Sequence, residues 1–313
     1  MIEIYIVAGF LGAGKTTFIQ KLLTEAFQGK KIALIENDFG EVSVDAAVLK
    51  GGGYRVEELN GGCICCTLTG NFVNALEALI KNDRPQIIVI EPSGVGKLSD
   101  VERACQNAVV ASEACVVQKI TVVDLLRCER YLENFGEFFT DQIAHADTVL
   151  FSRTDSVPDA LSQAQAIVEP WNPRAAVFAE EWEHLSVAEL LQAKKLEGMA
   201  GRLNIVVCHD DHCICHDHSQ HCTAAEAFDT LTLRILGKVR VPEITARLSE
   251  LSNLQYGAVL RAKGILESSG QFLQLQFVPG ELQIEKTDVK GHELCIIGQD
   301  LNKELIITLF ANV

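Results

Sequence analysis

An apolar run at residues 4–8 and a helical pattern beginning at Lys15 are joined by Gly9-Phe10-Leu11-Gly12-Ala13-Gly14-Lys15-Thr16. Glycines in this loop let backbone amides approach phosphate oxygens. The lysine reaches β- and γ-phosphates, and the threonine hydroxyl faces magnesium, all at the positive end of a helix. Such a loop works only where a strand feeds it and a helix leaves it, which commits the N-terminal part of the chain to a β-loop-α unit. Gly9, Gly12, Ala13, Gly14, Lys15, Thr16 and Thr17 form the expected phosphate cradle.

The helix is expected over 15–28, with Gly29 as its C-cap. Short apolar runs recur at 32–35, 87–90, 120–123, 149–151 and 175–178, and helical spacing such as Phe72, Ala75, Leu76, Leu79 and Ile80 lies between several of them. Strands apolar on both faces and alternating with helices predict an α/β fold with a doubly wound, mainly parallel sheet. A chain of 313 residues exceeds what one core usually serves. We place the first domain at 1–197, a Cys/His-rich linker at 198–225, and a smaller α+β domain at 226–313. In the last, strands are expected at 228–235, 256–266, 272–278, 282–285 and 294–297, with helices at 242–251 and at the terminus.

Three further segments carry candidate nucleotide chemistry. Glu91-Pro92-Ser93-Gly94 follows the run at 87–90, where a magnesium-facing carboxylate and a γ-phosphate-sensing glycine amide belong. Asn37-Asp38-Phe39-Gly40-Glu41 and Asp45 form a polar, glycine-hinged stretch. There Asp38, Glu41 and Asp45 are candidates for ordering magnesium or the attacking water, and Lys15, Glu41 and Glu91 are the candidate catalytic groups. Ser152-Arg153-Thr154-Asp155 follows the run at 149–151. An aspartate in that place accepts the N1 and N2 hydrogens of guanine, a donor pair adenine lacks, so GTP is expected over ATP.

Eleven cysteines are many for a reducing compartment, and their placement is uneven. Gly61-Gly62-Cys63-Ile64-Cys65-Cys66 brings three thiols together after two glycines that permit the necessary bend. Soft thiolates select zinc, copper(I) or an iron–sulfur cluster, and a tetrahedral zinc still needs a fourth ligand from elsewhere. The second group comprises Cys208, His209, His212, Cys213, Cys215, His216, His218, His221 and Cys222, with Asp210, Asp211 and Asp217 among them. These spacings suit a multi-site collector better than one cage, and cobalt and nickel stay open beside zinc. Cys105, Cys115, Cys128 and Cys295 sit singly and read as small apolar residues.

The net charge of −15 argues against a nucleic-acid or anionic-membrane partner, both of which call for a basic surface. No apolar run approaches the roughly 18 residues of a membrane span, and the N-terminus starts as a strand without signal-peptide character, so a cytoplasmic location is expected.

Taken together, these motifs resemble the CobW family of P-loop GTPases, relatives of the nickel-insertion GTPases that serve urease and hydrogenase. The resemblance rests on residues 9–16, 36–41, 61–66, 91–94, Asp141-Gln142-Ile143-Ala144-His145-Ala146-Asp147 and 152–155. It extends to Leu260-Arg261-Ala262-Lys263-Gly264-Ile265-Leu266 and Ile297-Gly298-Gln299-Asp300-Leu301 in the second domain. It implies slow GTP hydrolysis coupled to binding and delivery of a metal ion to a client metalloprotein. Zinc is the usual ion, cobalt or nickel in some members, with the cysteine motif as metal site and nucleotide-dependent pairing of two copies as a family expectation. The family pattern is broken in two places. Arg153 stands where lysine is usual, although an arginine can still stack on a base face. Pro92-Ser93 replaces a threonine-rich pair. A second reading makes the protein a GTP-dependent assembly or activation factor for one cobalt-, nickel- or corrinoid-dependent enzyme. A metal buffer or a small-molecule kinase explains fewer of the motifs.

Overall fold

The computed structural model describes residues 1–36, 55–58, 69–200 and 228–311. Seven parallel strands make the first sheet, in the order β3-β2-β4-β1-β5-β6-β7. They are β1 (Ile2–Gly9), β2 (Ile32–Glu36), β3 (Arg55–Glu58), β4 (Ile87–Glu91), β5 (Ala114–Asp124), β6 (Thr148–Ser152) and β7 (Ala176–Phe178). Between them run helices α1 (Lys15–Glu25), α2 (Thr69–Asp83), α3 (Leu98–Cys105), α4 (Ala108–Glu113), α5 (Cys128–Ala144), α6 (Ala160–Val168) and α7 (Val187–Ala200). Successive side chains of the inner strands enter two different cores. In β4, Ile88 and Ile90 pack with Phe72, Leu76 and Phe139 on one face, while Ile87 and Val89 pack with Phe18, Leu22 and Leu34 on the other. That two-sided burial is why these strands read as unbroken apolar runs.

Some local expectations need correction. Helix α1 stops at Glu25 rather than at 28, with Ala26 as its C-cap; Gly29, at φ +79°, belongs to the turn that follows. Strand β5 begins six residues before the run at 120–123, and this early part leaves Cys115 exposed, while Cys105, Cys128 and Cys295 are buried as expected. Strand β3, with the sequence RVEE, is an edge strand that its single apolar residue does not announce. Helix α7 continues past position 197 to Ala200.

The second sheet is antiparallel, in the order β11-β10-β9-β12-β8, from β8 (Asp229–Arg234), β9 (Ala258–Ser268), β10 (Gln271–Val278), β11 (Glu281–Thr287) and β12 (Glu293–Gln299). Helices α8 (Val241–Glu250) and α9 (Lys303–Phe310) cover one face. There Ile244, Leu248, Ile306 and Phe310 pack on Ala262, Leu266, Leu273, Leu275 and Phe277. The other face turns toward the first domain. Near β12 this face is apolar, with Cys295 and Ile297 joining the first domain's core, and Phe228 packs on α5 with ring centroids 5.6 Å from Phe135 and 5.4 Å from Phe138. Among the described residues, no helix is long and apolar enough to cross a membrane.

Candidate functional site

Strand β1 lies between β4 and β5, so the chain leaves it at the point where successive connections depart to opposite sides of the sheet. Open parallel sheets form their crevice there, outside the carboxyl ends of the strands. Residues 10–14 leave β1 into that crevice and deliver the chain to α1. Gly9 holds φ +147°, and a Cβ on it would stand 2.3 Å from the Val122 carbonyl oxygen, so only glycine lets β1 end this close to β5. Gly14 occupies the N-cap of α1 and has no side chain with which to cap it, and the first turn carries no acid. The positive end of this helix is therefore left for an external anion.

Lys15, Thr16, Thr17, Gly12, Gly14 and Glu91 line one polar cavity of about 340 Å³. Lys15 Nζ stands 3.8 Å from Glu91 Oε1, with both residues about 95% buried. Glu91 ends β4 beside Glu36 at the end of β2, its partner in register. A threonine hydroxyl and a carboxylate on one wall are hard oxygen donors of the kind magnesium takes.

Gly94 approaches the loop more closely than any other side chain would permit, since a Cβ there would stand 2.7 Å from Leu11 Cδ2 and 2.9 Å from its backbone nitrogen. Residues 91–96 are buried throughout. Gln142 of α5 straps this segment in place, its Nε2 donating to the carbonyls of Gly96 at 2.7 Å and Gly94 at 3.4 Å. Asp141 accepts the Ser99 amide at the start of α3, and Thr121 Oγ1 donates to the Gln142 carbonyl. Gln142 and Asp141 thus fix the segment after β4 from behind, a role their sequence alone does not disclose.

The segment after β6 is stitched to the phosphate loop. Ser152 Oγ donates to the Ala13 carbonyl at 2.7 Å, and Arg153, at φ +57°, donates through Nη1 to the Gly12 carbonyl at 3.2 Å. Its guanidinium also pairs with Asp124 at 2.9 Å and with Glu281 of the second domain at 3.3 Å, so Arg153 is directed to the loop and the domain junction. Arg127 meets the same two carboxylates, at 2.6 Å and 2.8 Å. Burial by itself would raise the Glu281 pKa, but the hydrogen bond from Arg127 and the charges of both arginines outweigh it and hold the carboxyl below its ordinary range. Asp155 is exposed just beyond. Trp182, not singled out from sequence, lies against Gly14 and donates its indole N–H to the Phe151 carbonyl at 2.8 Å.

The candidates Asp38, Glu41 and Asp45, the thiols Cys63, Cys65 and Cys66, and the whole Cys/His group at 208–222 lie outside the described residues. Among the described residues no three His, Cys, Asp or Glu side chains gather as a metal site.

Comparison with known proteins gives two family matches in tandem. The nucleotide-binding domain of CobW/HypB/UreG matches residues 3–179, and the cobalamin synthesis protein cobW C-terminal domain matches 228–313. Among curated relatives, the zinc chaperone CobW of Sinorhizobium sp is 34% identical over 180 residues, covering 49% of this chain and 51% of its own length. The zinc chaperone YjiA of Escherichia coli K12 is 32% identical over 183 residues, or 56% and 57%. The chain thus spans about half the length of the curated relatives it matches. The solved structure of Zn(II)-bound YjiA GTPase from E. coli aligns over 99% of this chain and 98% of that one, at 22% identity and a TM-score of 0.47.

Proposed function

The chain belongs to the CobW/HypB/UreG family, and on that premise we propose that it is a GTP-hydrolysing metallochaperone that carries a transition-metal ion to a client metalloprotein. One observation supports the nucleotide half above others: Lys15, Thr16 and Glu91 converge on a single cavity at the uncapped start of α1. The metal half is supported by the thiols of Cys63, Cys65 and Cys66 in the sequence, and by relatives called zinc chaperones. Zinc is accordingly the first cargo to test, with cobalt and nickel next.

The proposed division of labour is as follows. Loop amides and Lys15 hold the β- and γ-phosphates, and Gly94, pressed against Leu11, offers its amide where a γ-phosphate ends. Thr16 and Glu91 would hold magnesium, which neutralises charge developing on the phosphoryl oxygens. Separation of Lys15 from Glu91 frees both groups for these roles. Asp155, exposed after β6, reads guanine, while Ser152 and Arg153 hold that segment against the loop. Asp38, Glu41 and Asp45 order magnesium or the attacking water between them, and the cluster at 208–222 gathers metal.

Phosphate release from GTP and from ATP tests this reading, in wild type, Lys15→Ala and Asp155→Ala. GTP should turn over faster than ATP, Lys15→Ala should abolish turnover, and Asp155→Ala should erase the preference. Equal rates for both nucleotides in wild type, or an active Lys15→Ala, would contradict it.

A further inference from the structure

The cavity over the phosphate loop has a second wall, built by the other domain. In β10 the sequence alternates Phe272-Leu273-Gln274-Leu275-Gln276-Phe277. Leu273, Leu275 and Phe277 go into the core under α8 and α9, and the glutamines go to the opposite face. Gln276 pairs in register with Gln283 of β11 and Lys263 of β9, and Gln274 with Glu285 of β11. Arg261, Gln274, Gln276, Gln283 and Glu285 line the same cavity as Lys15, Thr16 and Glu91. An antiparallel sheet with one covered face commonly leaves the other to water. Here the polar face borders a crevice open to solvent along β11, where Gln283 and Glu285 are exposed, while Gln274 and Gln276 are half-buried and Arg261 is only 8% exposed.

Two contacts hold this wall against the loop. A Cβ on Gly12 would stand 3.0 Å from Val278 Cγ1, at the end of β10. At the start of β11, Glu281 pairs with Arg127 and Arg153, and Arg153 in turn donates to the Gly12 carbonyl. The domain junction therefore runs through the backbone that would cradle phosphate. A guanidinium presents planar, forked donors that match phosphate oxygens, and burial strengthens such a bond.

We propose that Arg261 binds the phosphate end of the nucleotide from the second domain, with Gln274, Gln276 and Gln283 completing the polar wall, so that a bound triphosphate joins the two domains. The proposal rests on the cavity being the nucleotide site. It gives the second domain a direct means of sensing the γ-phosphate.

Binding of fluorescent GDP and of a fluorescent non-hydrolysable GTP analogue, with magnesium, is measured for the full chain in wild type, Lys15→Ala, Arg261→Gln, Arg261→Lys and Gln276→Leu. Arg261→Gln should weaken the triphosphate analogue about 10- to 100-fold, the loss expected for a hydrogen bond to a charged group, and GDP distinctly less. Arg261→Lys should recover part of the loss, and Gln276→Leu should cost about 2- to 10-fold. Thermal melting identifies any variant that fails to fold, and Arg261→Lys and Gln276→Leu then carry the test. Wild-type binding lost in Lys15→Ala but unchanged in the Arg261 and Gln276 variants would overturn the second wall and leave the nucleotide site standing. A wild type that binds neither nucleotide would overturn the site itself, and the wall with it.

Discussion

The seven-stranded and five-stranded sheets bury their residues by different rules, and the difference decides where each can carry chemistry. Strands β2, β4 and β6 and the second half of β5 are covered on both faces, and polar groups stand at their carboxyl ends, in Glu36, Glu91, Ser152 and Asp124. The antiparallel sheet has one face sealed by α8 and α9, which frees the other to place polar side chains at every second position of a strand. Function in the first domain is concentrated at loop tips, and in the second it is spread along a surface. The phosphate cavity lies where the two arrangements meet.

Alanine substitutions test that contrast most severely. Ile87→Ala and Ile88→Ala remove adjacent side chains from different cores, and each should lower unfolding stability by about 2–5 kcal/mol. In β10, Leu275→Ala should cost a similar amount, whereas its neighbour Gln274→Ala should stay within about 0.5 kcal/mol. Denaturant midpoints measure all four, and a large loss in Gln274→Ala would show that the second face is structural.

A smaller effect is expected where α5 straps residues 91–96 to the end of β4. Gln142→Ala leaves the buried carbonyls of Gly94 and Gly96 without their strap, at a cost of about 1–3 kcal/mol, with slower GTP turnover as residues 91–96 loosen. Unchanged stability and turnover would show that Gln142 holds nothing.

The sequence was most informative about the parallel part. The phosphate loop and the apolar runs follow local rules, since a buried strand must be apolar throughout and a phosphate loop needs its glycines. A strand at 272–278 was also legible, but what its glutamines would face was not. Tertiary placement set that, as it set the strap at Gln142 and the pairing of Arg127 with Glu281, 154 positions apart. Arg153 shows the same limit. Its identity suggested a base-stacking role, yet its surroundings turn it to Gly12, Asp124 and Glu281. Glu25 ends α1 early because Phe27 folds back into the core beside Tyr5, with ring centroids 4.8 Å apart.

Where the two sheets are joined by charge, the effects should be slighter. Glu281→Gln removes a partner shared by two arginines at a half-buried junction. It should cost no more than about 1 kcal/mol at low salt, and less in 1 M salt, where screening acts over about 3 Å. Denaturation at the two ionic strengths checks this, and a salt-independent loss would point to packing instead.

The smallest effect belongs to the flank of the parallel domain. Contact with His145, with Lys119 adding, holds the Glu102 carboxyl at about 2 against the opposing effect of burial, and Glu102 in turn raises His145. The depressed carboxyl contributes stability above its ordinary 4.5 that is lost as pH falls from there through about 2. The raised imidazole contributes below its ordinary 6.5 and loses that contribution as pH rises through its raised value. Stability followed against pH should therefore show a shallow alkaline decline that His145→Gln removes. An identical decline in the variant would exclude this pair as its source.

On the proposed function, a metal ion held by Cys63, Cys65 and Cys66 and a triphosphate held by the loop sense one another. Zinc affinity, measured by competition with a chelator on untagged protein saturated either with a non-hydrolysable GTP analogue or with GDP, decides whether they do. Coupling predicts tighter zinc binding with the analogue, by about 5- to 150-fold, and an equal factor by which zinc tightens the analogue relative to GDP. The same zinc affinity in both nucleotide states would contradict it.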